Sequence, residues 1–158
     1  MTALHRLEST QVLPISVEEA WAFFSDPRNL ARITPPELRF RLISELPDAM
    51  YAGLFISYEI APLLGVTMRW VTEITHVDEG HMFVDEQRLG PYRLWHHEHW
   101  FRAVPGGTEM RDTVHYALPG GVLGAVVHAL VVGERVRSIF TYRRQVLESR
   151  FTAMAAGA

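Results

Sequence analysis

His97 and His99 stand one residue apart in a stretch, Trp95 to Phe101, where inward and outward positions alternate. On a strand, that period puts Trp95, His97, His99 and Phe101 on one face and His96, Glu98 and Trp100 on the other. Met110, Asp112, Val114 and Tyr116 share a face of the next alternating stretch. Pro105-Gly106-Gly107 between the two stretches has the composition of a hairpin loop, which lays these faces side by side and brings Asp112 toward both imidazoles. On the preceding stretch Asp85 and Gln87 share a parity with Phe83 and Leu89, although the opposite parity there is mixed as well.

Buried imidazoles and a buried carboxylate persist only where they satisfy each other, water or a ligand. Three kinds of chemistry fit the pattern. A closed polar network would have Asp112 fix a histidine tautomer and Gln87 complete the hydrogen bonds, with or without a ligand in contact. A histidine titrating near neutrality would serve as a general base, with Asp112 as its orienting carboxylate or as an acid of raised pKa. Two imidazoles and a carboxylate, His97, His99 and Asp112, would also make a metal triad. H-x-H is too short a motif to carry that assignment, so no metal is expected.

Much other chemistry is excluded. The chain has no cysteine, hence no thiol nucleophile, thiolate zinc site or disulfide framework. There is no G-x-S-x-G elbow, and Gly90-Pro91 lacks the glycine pattern of a phosphate loop. A net charge of −3 offers no broad basic field, so nucleic acid is not an expected partner, even though all fifteen basic residues are arginine. The first residues alternate polar and apolar instead of forming a signal-peptide core, which gives an expectation of a cytoplasmic protein. The longest apolar run, Val122 to Gly133, holds His128 and is too short to span a bilayer.

The elements that must position these residues follow from period and punctuation. Leu4 to Leu13 reads as a strand stopped by Pro14. Ser16 and Glu19 have capping-box spacing and open a helix, Val17 to Ser25. Asp26-Pro27 starts a second short helix that Pro35-Pro36 ends. From Leu38 to Leu118 the period is two, giving six more strands joined largely by tight turns, and so a seven-stranded antiparallel sheet. Pro119-Gly120-Gly121 then turns the chain into one long helix, Val122 to Phe151, with Leu123, Val126, Leu130, Val136, Phe140, Leu147 and Phe151 as its apolar stripe. Residues 1–152 make one domain on this reading and 153–158 a disordered tail.

This order, an α+β arrangement of one strand, two helices, six strands and a long closing helix, resembles the START-like helix-grip superfamily (SRPBCC). Its members include lipid-transfer domains, plant pollen allergens and aromatic polyketide cyclases. Asp85 to Phe101 is similar to the D-x-Q…G-P-Y…W-x-H-x-H-x-F pattern of a bacterial branch of that superfamily, and Asp26-Pro27…Asn29-Leu30 with Pro35-Pro36 matches its early segment. The resemblance implies a curved sheet wrapped around the last helix, a cavity between them for a small apolar ligand, and no metal or other cofactor.

The expected function is binding of a small hydrophobic molecule, lipid, aromatic or polyketide-like. His97, His99, Asp112 and Gln87 would orient it, and Trp95, Trp70, Tyr58, Phe101, Tyr116 and Phe140 would wall it. The second reading is a cyclase or dehydratase acting on such a molecule. A third is an interaction module, with the apolar end near Val127 and Val131 docking a partner or a second copy as a homodimer. Arg143 and Arg144 are assigned to a solvated helix face, with an anion at the cavity mouth as their alternative use.

Overall fold

The computed structural model describes residues 3–62, 65–120 and 131–156. Seven antiparallel strands form one sheet: β1 (His5–Leu13), β2 (Arg41–Leu42), β3 (Leu54–Ile60), β4 (Met68–Asp78), β5 (Met82–Leu89), β6 (Leu94–Val104) and β7 (Gly107–Ala117). Their order is β1-β7-β6-β5-β4-β3-β2, so β2 to β7 form a meander and β1 closes beside β7. Between β1 and β2 lie helix α1 (Val17–Phe24) and two 3-10 helices, Pro27–Ile33 and Pro36–Leu38. Helix α2 (Gly133–Ala156) closes the chain.

Local chemistry accounts for the entry to each piece. Ser16 accepts from the Glu19 amide and Glu19 returns a bond to the Ser16 amide, the reciprocal cap read from the sequence. Asp26 caps the following segment, but its turns are 3-10 instead of α-helical. Leu38 to Leu42 was expected to be extended throughout. It is strand only at Arg41–Leu42, because Leu38 ends the second 3-10 turn and Arg39 takes a left-handed backbone with φ 47°. At the β6–β7 hairpin, Gly107 is required by close approach: a Cβ there would collide with the Leu13 carbonyl oxygen at the end of β1.

The core lies between the inner sheet face and α2. Leu13, Ile56, Ile74, Phe83, Phe101, Met110 and Leu147 are buried together, and Val114, Tyr116, Val136 and Phe140 form a second cluster toward the start of α2. Arg144 fastens α2 to the edge strand β1, donating to Ser9 Oγ at 3.2 Å and the Thr10 carbonyl at 2.8 Å, while Gln11 donates to the Arg144 carbonyl at 3.0 Å. The solvated role expected of Arg144 is therefore corrected to a helix anchor. Helix α2 runs to Ala156, so residues 153–156, expected in a tail, are helical. The first nine positions of the expected long helix, including Leu123, Val126, Val127, His128 and Leu130, lie outside the described residues, as do two positions of the Pro62 to Gly65 turn. Among the described residues no helix is long and apolar enough to cross a membrane.

Candidate functional site

Register assembles the polar cluster. Asp85 on β5 is the cross-strand partner of His97 on β6, and Asp112 on β7 is the partner of His99. The shorter contacts run diagonally: His97 Nε2 lies 2.8 Å from Asp112 Oδ1, and His99 Nε2 lies 2.7 Å from Asp85 Oδ2. The direct pairs are longer, with His97 Nδ1 3.4 Å from Asp85 Oδ2 and His99 Nδ1 3.1 Å from Asp112 Oδ1. Two imidazoles with centroids 3.7 Å apart are thus held between two carboxylates. The expectation that the Pro105 to Gly107 hairpin brings Asp112 to both histidines matches this geometry.

The cluster is largely buried: the His97 and Asp112 side chains are 5% and 1% exposed, and those of His99 and Asp85 are 10% and 17%. Burial alone would raise the Asp112 carboxyl, but hydrogen bonds and positive charge from His97 and His99 outweigh it and hold the group far below the usual carboxylate range. Asp85 follows the same logic. Burial raises it, while the charge of His97, the His99 hydrogen bond and the charge of Arg143 bring it below its ordinary value. The imidazoles diverge: burial and the neighbouring His99 push His97 down. In His99 the two carboxylate hydrogen bonds overcome burial and push it up. The two rings therefore differ in basicity, His99 being the stronger base.

A cavity of about 490 Å³ opens between the sheet and α2. Tyr58, Trp70, Trp95, His97, His99 and Phe140, all singled out from the sequence, line it. The other four do not. Asp112 is behind the imidazoles; Phe101 packs edge-on against Trp21 in the core under α1; Tyr116 belongs to the cluster with Val114, Val136 and Phe140. Gln87 forms a two-way clasp with Tyr92, donating to its carbonyl at 2.6 Å and accepting from its amide at 3.2 Å, so it shapes the Gly90-Pro91 loop.

Asp85 and Arg143, left out of the expected site, also line the cavity, as do Asp26, Asn29 and Arg135. Asp85 was obscured because Val84, on the opposite parity, is also buried, and because the β4–β5 register shifts between Ile74 and His76. Arg143 had only a partial signal. Val136, Phe140, Leu147 and Phe151 are all buried, and the seven-residue step from Phe140 to Leu147 brackets positions 143 and 144 equally, so spacing draws the arginine pair toward the buried face without choosing between them. Its guanidinium sits 5.0 Å from the Phe140 ring centroid, and its buried Nε has no hydrogen-bond partner. The solvated face expected for Arg143 is corrected to the cavity wall.

Solved structures with the same architecture come from several bacteria. Protein CV1439 from Chromobacterium violaceum matches with a TM-score of 0.68 at 18% identity, covering 92% of this chain and 96% of that one. TTHA0849 from Thermus thermophilus matches at 0.66 and 18% identity, over 95% of this chain and 99% of that one. Ara h 8.0201 matches at 0.60 and 15% identity, covering 93% and 99%. At such identities the likeness shows the fold, which is the helix grip. No curated protein sequence matches the chain. The family model described as polyketide cyclase / dehydrase and lipid transport matches residues 13–141.

Proposed function

Starting from the polyketide cyclase / dehydrase and lipid transport family, to which this chain belongs, we propose that the protein binds a small, largely apolar molecule between its sheet and α2, with one polar end of that molecule directed at Asp85, His97, His99 and Arg143. One observation carries the reading: a cavity of about 490 Å³ whose walls are mainly apolar and aromatic carries Asp85, His97 and His99 on β5 and β6 and Arg143 on α2. Small-molecule sites typically run from roughly 300 to 1,000 Å³ and pair such walls with a few orienting polar groups. Each 100 Å² of ligand apolar surface taken from water there would contribute about 2.5 kcal/mol before the cost of ordering the ligand. The polar end offers a carboxylate acceptor in Asp85 and a donor in the Arg143 guanidinium, which together suit a hydroxyl or carboxyl group.

Native mass spectrometry of freshly purified protein should find a small molecule retained at one per chain. Ile139→Trp, which places an indole into the cavity from α2, should abolish retention while leaving the thermal midpoint within a few degrees. Retention unchanged in that variant would sink the proposal.

A second reading rests on a different observation. His99 and Asp85, 2.7 Å apart, both line the cavity, which puts an acid–base pair within reach of anything bound there. A cyclase or dehydratase built on this pair would lose turnover in His99→Gln while still retaining its substrate.

A further inference from the structure

Asp112 and Asp85 take opposite sides of the imidazole pair. Asp112 Oδ1 contacts His97 Nε2 and His99 Nδ1, at 2.8 and 3.1 Å, and does not line the cavity. A carboxylate only accepts, so the ring nitrogens facing Asp112 carry the protons. The other two nitrogens, His97 Nδ1 and His99 Nε2, face Asp85 Oδ2 at 3.4 and 2.7 Å, and one ligand atom from each of the three residues lies within 4.8 Å of the others. If both rings were neutral, two lone pairs and a carboxylate oxygen would converge on one another at the cavity wall. Positive charge among them would relieve that convergence. A proton on His99 Nε2 answers the 2.7 Å contact with Asp85, while His97 Nδ1 stands 3.4 Å from the same oxygen.

A divalent cation would answer all three at once. In a tetrahedral site with bonds of roughly 2.0–2.1 Å, neighbouring donor atoms stand about 3.4 Å apart. The His97–Asp85 separation already has that value, and the His99–Asp85 contact would have to open from 2.7 Å. The Asp85 side chain lies at the cavity wall, 17% exposed, where it has room to move. A metal-bound histidine normally gives its second ring nitrogen to a carboxylate that fixes tautomer and orientation. Asp112 does this for both rings. Its charge together with that of Asp85 offsets a dication, so binding would leave no net charge among the five partners.

We infer that Asp85, His97 and His99 form a site for a first-row divalent cation on the cavity wall, with Asp112 orienting both imidazoles from behind. Two imidazole nitrogens and one carboxylate oxygen are the donor set favoured by Zn²⁺, Fe²⁺ and Co²⁺ over Ca²⁺ and Mg²⁺. All three ligands line the cavity, as Arg143 does. The inference stands apart from the apolar-ligand reading, since the triad would bind metal in an empty cavity.

The test uses chelator-stripped protein and the metal alone. Titration with Co²⁺ should saturate at one equivalent per chain with visible absorption of the intensity typical of four- or five-coordinate cobalt, and one equivalent of Zn²⁺ should raise the thermal midpoint and displace the cobalt. Asp85→Asn and His99→Gln should each remove the absorption, with near-ultraviolet circular dichroism recorded to verify folding. Asp112→Asn should weaken binding by about 10- to 100-fold while leaving the band shape. His96→Gln, on the outer face, should change nothing. Wild-type protein that takes up no cobalt, or uptake undiminished in Asp85→Asn, would overturn the inference. A naphthalene sulfonate dye titrated into the stripped protein reports separately on the apolar cavity, so failure of the metal site and failure of the ligand reading give different results.

Discussion

The two faces of β5–β7 carry nearly the same inventory. Inside are His97, His99, Asp85 and Asp112; outside are His96, His115, Glu86 and Glu98. Contact lengths are alike as well: His96 lies 2.8 Å from Glu86 and 3.4 Å from Glu98, against 2.7 to 3.4 Å within the inner cluster. What differs is water. The outer imidazole and its two carboxylates are 28% to 32% exposed, so solvent satisfies whatever the pairing leaves. The inner four are at most 17% exposed and rely mainly on each other, so removing one leaves its partners short of bonds. Composition and distance therefore do not make a cluster consequential; exclusion of solvent does.

The sharpest break in that comparison is Asp112→Ala. It leaves two buried rings without the acceptor both use, and unfolding in urea should show a loss of about 3–5 kcal/mol. Glu98→Ala, the outer counterpart, should cost no more than about 1 kcal/mol. Equal losses would mean that the inner cluster is better hydrated than its burial implies.

Acid separates the faces next. The carboxyl of Asp112 is depressed in the folded state, so the stability it contributes is fully present above the ordinary carboxylate pKa of about 4 and is lost as pH falls below that toward its folded value. Stability of the wild type should fall more steeply than that of Asp112→Asn between about pH 4 and pH 2. Glu98 is also lowered, by its bond from Trp100 and then by His96, yet solvent screens it. Glu98→Gln should leave the slope almost unchanged, and a parallel slope in Asp112→Asn would contradict the assigned cause.

How much of this was legible in the sequence depends on how strictly each element alternates. On β6 and β7 strict period-two patterning placed His97, His99 and Asp112 inward and Trp100 outward, and the structure agrees. On β5 both Phe83 and Val84 are buried, so parity could not choose between Asp85 and its neighbours. Gln87 shared the inward parity but is spent on the Tyr92 backbone, a fact fixed by loop geometry that no period encodes. Gln87→Ala should therefore cost about 1–3 kcal/mol by leaving those backbone groups unpaired, with ligand retention unchanged.

Arg143 and Arg144 repeat the inside–outside contrast on neighbouring positions of one helix. Arg144 holds β1 through two hydrogen bonds, and Arg144→Met should lower stability by about 1–2 kcal/mol. Arg143 faces the cavity, and two opposing contributions nearly cancel there. Its guanidinium over Phe140 is worth roughly 0.5–1 kcal/mol, while the buried Nε without a partner carries a penalty of similar size or larger. Arg143→Met keeps the aliphatic stem on the ring and removes the stranded nitrogen. Thermal and urea unfolding should therefore shift by no more than about 0.5 kcal/mol in either direction. Ligand retention by native mass spectrometry should nonetheless fall. A group that costs nothing to remove from the fold but weakens what the cavity holds is maintained for binding. If stability dropped with Arg143 while retention stayed intact, Arg143 would join Arg144 as a fastening and the donor assigned to the cavity would have to come from elsewhere.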